Sequence, residues 1–217
     1  MRIGIFGGTF NPIHLGHLIV AEDIRENFSL ERILFVPSAR PPHKPAPELI
    51  DAEHRLEMTR LALKGNPYFD LSAIEHHRSG FSYSVDTVES FRSECGSEAE
   101  LFFILGIDAF ADINSWHEPK RLIGLCNFIV MSRPGFILEE ALHFCTSTFG
   151  IRAEPGSRQI PLPNGHFLYL EDATPVGISS TLVRDRIREG RSLKYILPES
   201  VASYIISNGL YAEKRKF

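Results

Sequence analysis

Residues 2–6 form a short β-branched and aromatic run that stops at Gly7-Gly8, and helical spacing begins at Gly16. An apolar run that ends in two glycines reads as a buried strand halting in a tight turn. Over residues 16–28 the apolar positions Leu18, Val20, Ala21, Ile24 and Phe28 recur at the period of a helix. A strand, a glycine turn and a helix in that order point to a sheet with helices packed on it.

The alternation continues down the chain. Residues 33–36 predict a second strand stopped by Pro37, and residues 51–64 return to helical spacing through Leu56, Leu61 and Leu63. Further strands are predicted at 69–74, 101–105, 128–131 and 167–170, the second of these apolar enough to be buried on both faces. Helices are predicted at 84–91, 121–125 and 139–148. Ser180 or Thr181 caps a helix running to Glu189, and Pro198 opens a last helix in its first turn. Gly190 and Asn208-Gly209 close these two helices. The segment 41–47 carries prolines at 41, 42, 45 and 47, which excludes helix and central strand and leaves a long extended loop. The pattern predicts an α/β domain with a mostly parallel sheet.

A chain of 217 residues can bury a sizeable core, and 43% apolar against 23% charged residues excludes disorder. No repeat, low-complexity tract or linker divides it. With 23 basic and 27 acidic residues the net charge is −4, which argues against long nucleic acid as a partner. A small anion in a local basic pocket is compatible with it. Cys95, Cys126 and Cys145 lack CxxC spacing and read as free thiols of a reducing compartment. The N-terminus has no signal-like segment and the apolar runs are too short to span a bilayer, so a cytoplasmic protein without a membrane partner is expected.

The chemistry concentrates where the first strand ends. In a parallel sheet, ligands bind outside the carboxyl ends of the strands near a switch in strand order. Gly7 and Gly8 let backbone approach a ligand, and Gly16 lies at a helix start whose N–H groups attract anions. His14 and His17 are three apart and share a face if both lie on the first turn. Each element alone permits an ordinary turn, a metal ligand or a surface histidine. Together they form a phosphate pocket. No GxxxxGK[ST] P-loop occurs.

At this point the sequence resembles the nucleotidylyltransferase superfamily, whose mark is a (T/H)xGH motif after the first strand; here it is His14-Leu15-Gly16-His17. The longer string from Gly7 through Thr9 and Phe10 to His17, with PPHK at 41–44, is similar to the bacterial nicotinate-nucleotide adenylyltransferases. Residues 178–184, ISSTLVR, look like the second superfamily motif. Ser179, Ser180 and Thr181 place hydroxyls at a helix start, with Arg184 about a turn later, a set suited to polyphosphate though also to a plain cap.

The resemblance covers nearly the whole chain and implies a Rossmann-like doubly wound sheet, mostly parallel, with helices on both faces. It implies one nucleotidyltransferase domain over 1–217, with a small C-terminal helical portion from about 178. It also implies adenylyl transfer from ATP to nicotinate mononucleotide, giving deamido-NAD and pyrophosphate, with Mg²⁺ brought in by ATP and held mainly by phosphates. His14, His17, Lys44 and Arg184 would then be the catalytic set. Gly7, Gly8, Thr9, Phe10, Gly16, Gly106, Asp108, Arg133, Ser179 and Thr181 would line the ATP site, Asp108 toward ribose. Ser84 and Thr87, in a variant of the family's SYTxxT, would line the mononucleotide site with Trp116 and His117. Trp116 would stack on the pyridine ring, or else belong to the core. His117 stands where some relatives have Tyr, which leaves the polar partner of the nicotinate carboxylate open.

The attacking phosphate oxygen is already anionic at neutral pH, so no general base is required, and the protein must align two anions and neutralise the leaving pyrophosphate. Helix terminus and triphosphate push the histidine pKa values in opposite directions, and the sequence does not decide between them. Rival readings are nicotinamide-mononucleotide or pantetheine-phosphate adenylyltransferases, cytidylyltransferases and a non-catalytic nucleotide-binding module. Homo-oligomerisation is left open.

Overall fold

The computed structural model describes residues 1–42, 49–96, 98–132, 149–151, 154, 156–172 and 174–212. Lys44, Arg133, Cys145 and the helix expected at 139–148 lie outside these residues. Among the described residues a seven-stranded sheet has the order β3-β2-β1-β4-β5-β7-β6. Its strands are β1 (Arg2–Gly8), β2 (Arg32–Pro37), β3 (Phe69–Leu71), β4 (Glu100–Gly106), β5 (Asn127–Met131), β6 (Gln159–Pro161) and β7 (Phe167–Glu171). All neighbouring pairs are parallel except β6 with β7 at one edge.

The α-helices among the described residues are α1 (Leu15–Asn27), α2 (Ala52–Leu63), α3 (Ser84–Cys95), α4 (Ile107–Ala111), α5 (Pro119–Leu122), α6 (Ser180–Arg188) and α7 (Glu199–Ser207). Alternate strand residues feed two cores, as the two-residue period of a strand requires. Ile3, Ile5, Leu101, Phe103, Leu105 and Phe128 pack with α3, α4 and α5 through Val85, Val88, Phe91, Phe110 and Leu122. Phe6, Phe35, Phe102, Ile104 and Ile129 face the other way, onto Ala21, Ile24, Met58, Val183, Val201 and Ile205 of α1, α2, α6 and α7. The sheet is thus covered on both faces, as the near-continuous burial of β4 and β5 requires. The doubly wound α/β reading holds.

Strand order reverses between β1 and β4: β1 leads outward to β2 and β3, whereas β4 leads to β5 and β7 on the other side. The two carboxyl ends, Gly8 and Gly106, therefore flank the crevice that doubly wound folds use for ligands.

Several local expectations are corrected. Strand β3 stops at Leu71, because residues 73–76 turn, with the His76 N–H on the Ala73 carbonyl at 2.9 Å. Helix α3 runs on to Cys95 and is ended by Gly96, whose φ of 77° suits glycine. Helix α5 comes earlier and is shorter than expected, with Pro119 in its first turn. Edge strand β6 and the one-turn α4 were not expected at all. The cap of α6 is Ser179, whose hydroxyl accepts from the Leu182 N–H at 3.1 Å, not Ser180 or Thr181. Pro198 is the residue before α7, not its first helical one.

Candidate active site

The loop between β1 and α1 is held almost entirely from beneath. Arg184 donates to the Asn11 carbonyl at 2.9 Å and to the Thr181 hydroxyl at 3.1 Å. Ser180 donates to the Pro12 carbonyl at 2.9 Å. The Leu15 N–H reaches the Ile196 carbonyl at 3.1 Å, and the Tyr211 hydroxyl donates to Asn11 Oδ1 at 2.9 Å. Residues 168 or more positions downstream thus fix the N-terminal loop, and the ISSTLVR motif is brought directly against it. Burial, foremost, pushes the Tyr211 hydroxyl pKa up, so it stays a neutral donor.

That placement changes what four expected site residues do. Arg184 is buried, and its charge reaches the loop from inside the protein. Thr181 accepts one of its hydrogen bonds, and Ser179 is occupied as the helix cap, though it remains exposed. The Phe10 side chain is also interior, edge-on to His17 at 5.1 Å and to Phe6 at 5.8 Å. Only its backbone is left to meet a ligand. A Cβ at Gly8 would come within 2.9 Å of the Phe10 ring, which explains the glycine there.

His14 and His17 do share a face: their rings stack at 3.7 Å between centroids with 27° between planes. They are not equivalent. His14 is the N-cap residue of α1 and is 5% exposed, its Nδ1 buried without a hydrogen-bond partner among the described residues. Burial lowers its pKa to about 4, so it is neutral at pH 7. Gly16 makes room for it, since a Cβ there would stand 3.0 Å from His14 Nδ1 and 3.4 Å from the Ile178 carbonyl.

His17 is partly exposed one turn on, and its Nδ1 accepts from the His14 backbone N–H at 3.2 Å. A backbone amide is always a donor, so Nδ1 must be unprotonated and the imidazole proton of neutral His17 sits on Nε2. The motif thereby fixes a tautomer. The second histidine is a hydrogen-bond donor held at a helix N-terminus.

Across the crevice Gly106 ends β4 with open space where a Cβ would be, followed by exposed Asp108 at the start of α4. Gly7 borders the same opening, its missing Cβ only in ordinary contact with Phe103 at 3.5 Å. Trp116 lies edge-on to Phe103 at 6.2 Å, half in the core and half out. Exposed His117 stacks on Tyr83 at 4.2 Å, and Tyr83 is the N-cap of α3, directly before Ser84. The residues expected to hold a mononucleotide are therefore neighbours, Thr87 among them through the Tyr83 carbonyl, but Thr87 does not face outward. Its side chain is buried, donating to Glu75 Oε1 at 2.8 Å, so it supports the wall without lining it.

Arg55, Glu75 and Tyr211 went unrecognised in the sequence. Arg55 is fully buried, and burial lowers its pKa, although a guanidinium remains charged. A faint signal existed: Arg55 shares a helix face with Met58 and Thr59, which are buried.

A glycine turn, a helix start with an oriented donor and a second helix start docked on it, all at the switch point of a parallel sheet, make a doubly wound nucleotide-binding domain. The cytidylyltransferase-like family model matches residues 5–186, and the chain belongs to that family. It is 46% identical over 210 residues to the probable nicotinate-nucleotide adenylyltransferase of Moorella thermoacetica, covering 97% of this chain and 91% of that one. The corresponding protein of Geobacter metallireducens is 40% identical over 224 residues, covering 99% and 100%. Among solved structures, the Plasmodium falciparum nicotinic acid mononucleotide adenylyltransferase complexed with NaAD shares the fold. Its TM-score is 0.74 at 23% identity, covering 97% of each chain.

Proposed function

We propose that this chain transfers the adenylyl group of ATP to nicotinate mononucleotide. A phosphate oxygen of the mononucleotide attacks the α-phosphorus of ATP, a new P–O–P bond forms, and the bond to the β-phosphate oxygen breaks. Pyrophosphate leaves with that oxygen, and deamido-NAD is the other product. The observation that carries the reading is His17 at the start of the helix after β1, its Nδ1 held by the His14 N–H so that Nε2 carries the proton, next to the switch point of the sheet. Donors there meet charge that grows on phosphate oxygens, in a site that needs no reorganisation. No proton need be removed, which suits a neutral imidazole whose acceptor nitrogen is already engaged.

Arg184 acts in this reading through the loop as well as through its charge. Lys44 and Arg133 would add positive charge. Trp116, Tyr83 and His117 offer aromatic faces to the pyridine ring. Gly106 and Asp108 lie where adenosine would enter. The described residues around the crevice supply amides, hydroxyls and imidazoles more than carboxylates, which suits Mg²⁺ held mainly by phosphate oxygens. Bound there, it would neutralise the triphosphate and assist departure of pyrophosphate.

The single-domain reading is supported by Val183, Val201 and Ile205, which join one core with Phe102 and Ile104 of the sheet. A cytoplasmic setting is supported by the free thiols of Cys95 and Cys126. Burial pushes the Cys126 thiol up to about 12, so it is inert. Among the described residues no helix is long and apolar enough to cross a membrane. The test is pyrophosphate release from ATP with either nicotinate or nicotinamide mononucleotide. Turnover with the nicotinate form and little with the amide is the expected result, and turnover with neither overturns the reading.

A further inference from the structure

Among the described residues, Arg55 is the largest side chain buried completely, and every hydrogen-bond partner of its guanidinium group is a backbone carbonyl. Nη1 donates to Thr9 at 2.9 Å and to Ser38; Nη2 donates to Ala39 at 3.0 Å, and Nε to Ile50 at 3.2 Å. Burying a charge without a bonded carboxylate is expensive, so the position serves something that an apolar residue would not.

The partners say what that is. Thr9 follows β1 in the phosphate loop, and Ser38 and Ala39 follow β2. One planar fork therefore sets the spacing between two loops at the carboxyl edge, which a lysine ammonium has neither the shape nor the donors to do. Because the Thr9 carbonyl is drawn inward, the trans peptide after it carries the Phe10 N–H on the opposite side.

From Ser38 the bonding continues toward the second half of the crevice. The Ser38 hydroxyl donates to Glu75 Oε2 at 3.2 Å, and Glu75 Oε1 accepts from Thr87 at 2.8 Å. Arg40 and Ser82 exchange two further hydrogen bonds, each of 3.0 Å. Phosphate loop and mononucleotide wall are thus joined through Arg55 and Glu75.

Resting on the proposed transfer reaction, we infer that Arg55 is a positioning residue: it aligns the loop that holds ATP with the wall that holds the second substrate. Misalignment near 1 Å lowers rate far more than binding. Steady-state kinetics of Arg55→Lys and Glu75→Gln, at a temperature where circular dichroism shows each folded, test this against the native enzyme. For R55K the expectation is a fall in kcat of about 10²-fold, with both KM values within about threefold. For E75Q the fall is about fivefold.

A purely structural role would lower the unfolding temperature and leave kcat of the folded variant near native, and that result for R55K overturns the inference. So does a loss confined to the KM for ATP. If R55K does not fold, E75Q decides: kcat within twofold of native overturns the coupling. Native protein inactive with both mononucleotides instead overturns the transfer reading, and this inference with it. Active native protein with an unimpaired R55K overturns the inference alone.

Discussion

The sides of the crevice proposed to hold phosphate and pyridine are built in opposite ways. On the phosphate side, Asn11, Pro12 and Leu15 are tied down by Arg184, Ser180, Ile196 and Tyr211. On the pyridine side, Trp116, His117 and Tyr83 are aromatic faces, half-buried or exposed, held by ring contacts. A triphosphate is the same group in every cycle and is best met by donors that are already in place. A ring is recognised by stacking, which tolerates small shifts and changes with side chains. In the proposed reading, groups held by many hydrogen bonds stand where charge moves, and aromatic faces stand where the ring is read.

Four experiments would break or sharpen this contrast. His17→Ala removes the one side-chain donor whose tautomer the loop fixes, and turnover is expected to fall about 10²-fold or more, with a smaller change in ATP binding. Near-native turnover would sink its role.

The second measurement concerns His14. Its pKa is about 4 in the fold against 6.5 for the free side chain, so between those values the unfolded chain binds a proton that the folded one does not. The stabilisation is fully present above pH 6.5 and is lost as pH falls toward 4, by about 3 kcal/mol at most. Urea midpoints across this window should fall more steeply for native protein than for His14→Asn, and parallel curves would remove the claim.

Third, Gly16→Ala presses a methyl against the His14 ring, and a stability loss of about 1–3 kcal/mol with roughly tenfold slower turnover is expected. An alanine variant with native melting and kinetics would show that the histidine pair is not sterically set. The smallest effect belongs to the other side. Trp116→Ala should raise KM for the mononucleotide by up to about tenfold, the scale of one aromatic pair, and leave KM for ATP within twofold. Equal rises in both would dissolve the division between the two sides.

Local periodicity anticipated β1, α1, β2 and α2 to within a residue or two, because each is a long apolar pattern bounded by glycine, proline or a polar cap. It lost β6, whose three residues carry no period, and it overran β3, where apolar residues continue past the point at which the chain turns. The motifs marked the correct loops but not how their side chains are used. Phe10, Thr87 and Arg184 all turn inward, and nothing in a motif distinguishes a side chain that touches ligand from one that supports the backbone beside it.

The sequence by itself determined the alternation of strands and helices, the glycine turn at the end of β1, and the two motifs that must meet. These are local properties, set by spacing and by backbone freedom. Tertiary structure alone decided that His14 is neutral and interior, that His17 presents Nε2–H, and that Arg55 joins loops about thirty residues apart in the chain. Burial, tautomer and the direction of a buried charge depend on groups brought together by folding, and no window of sequence contains them.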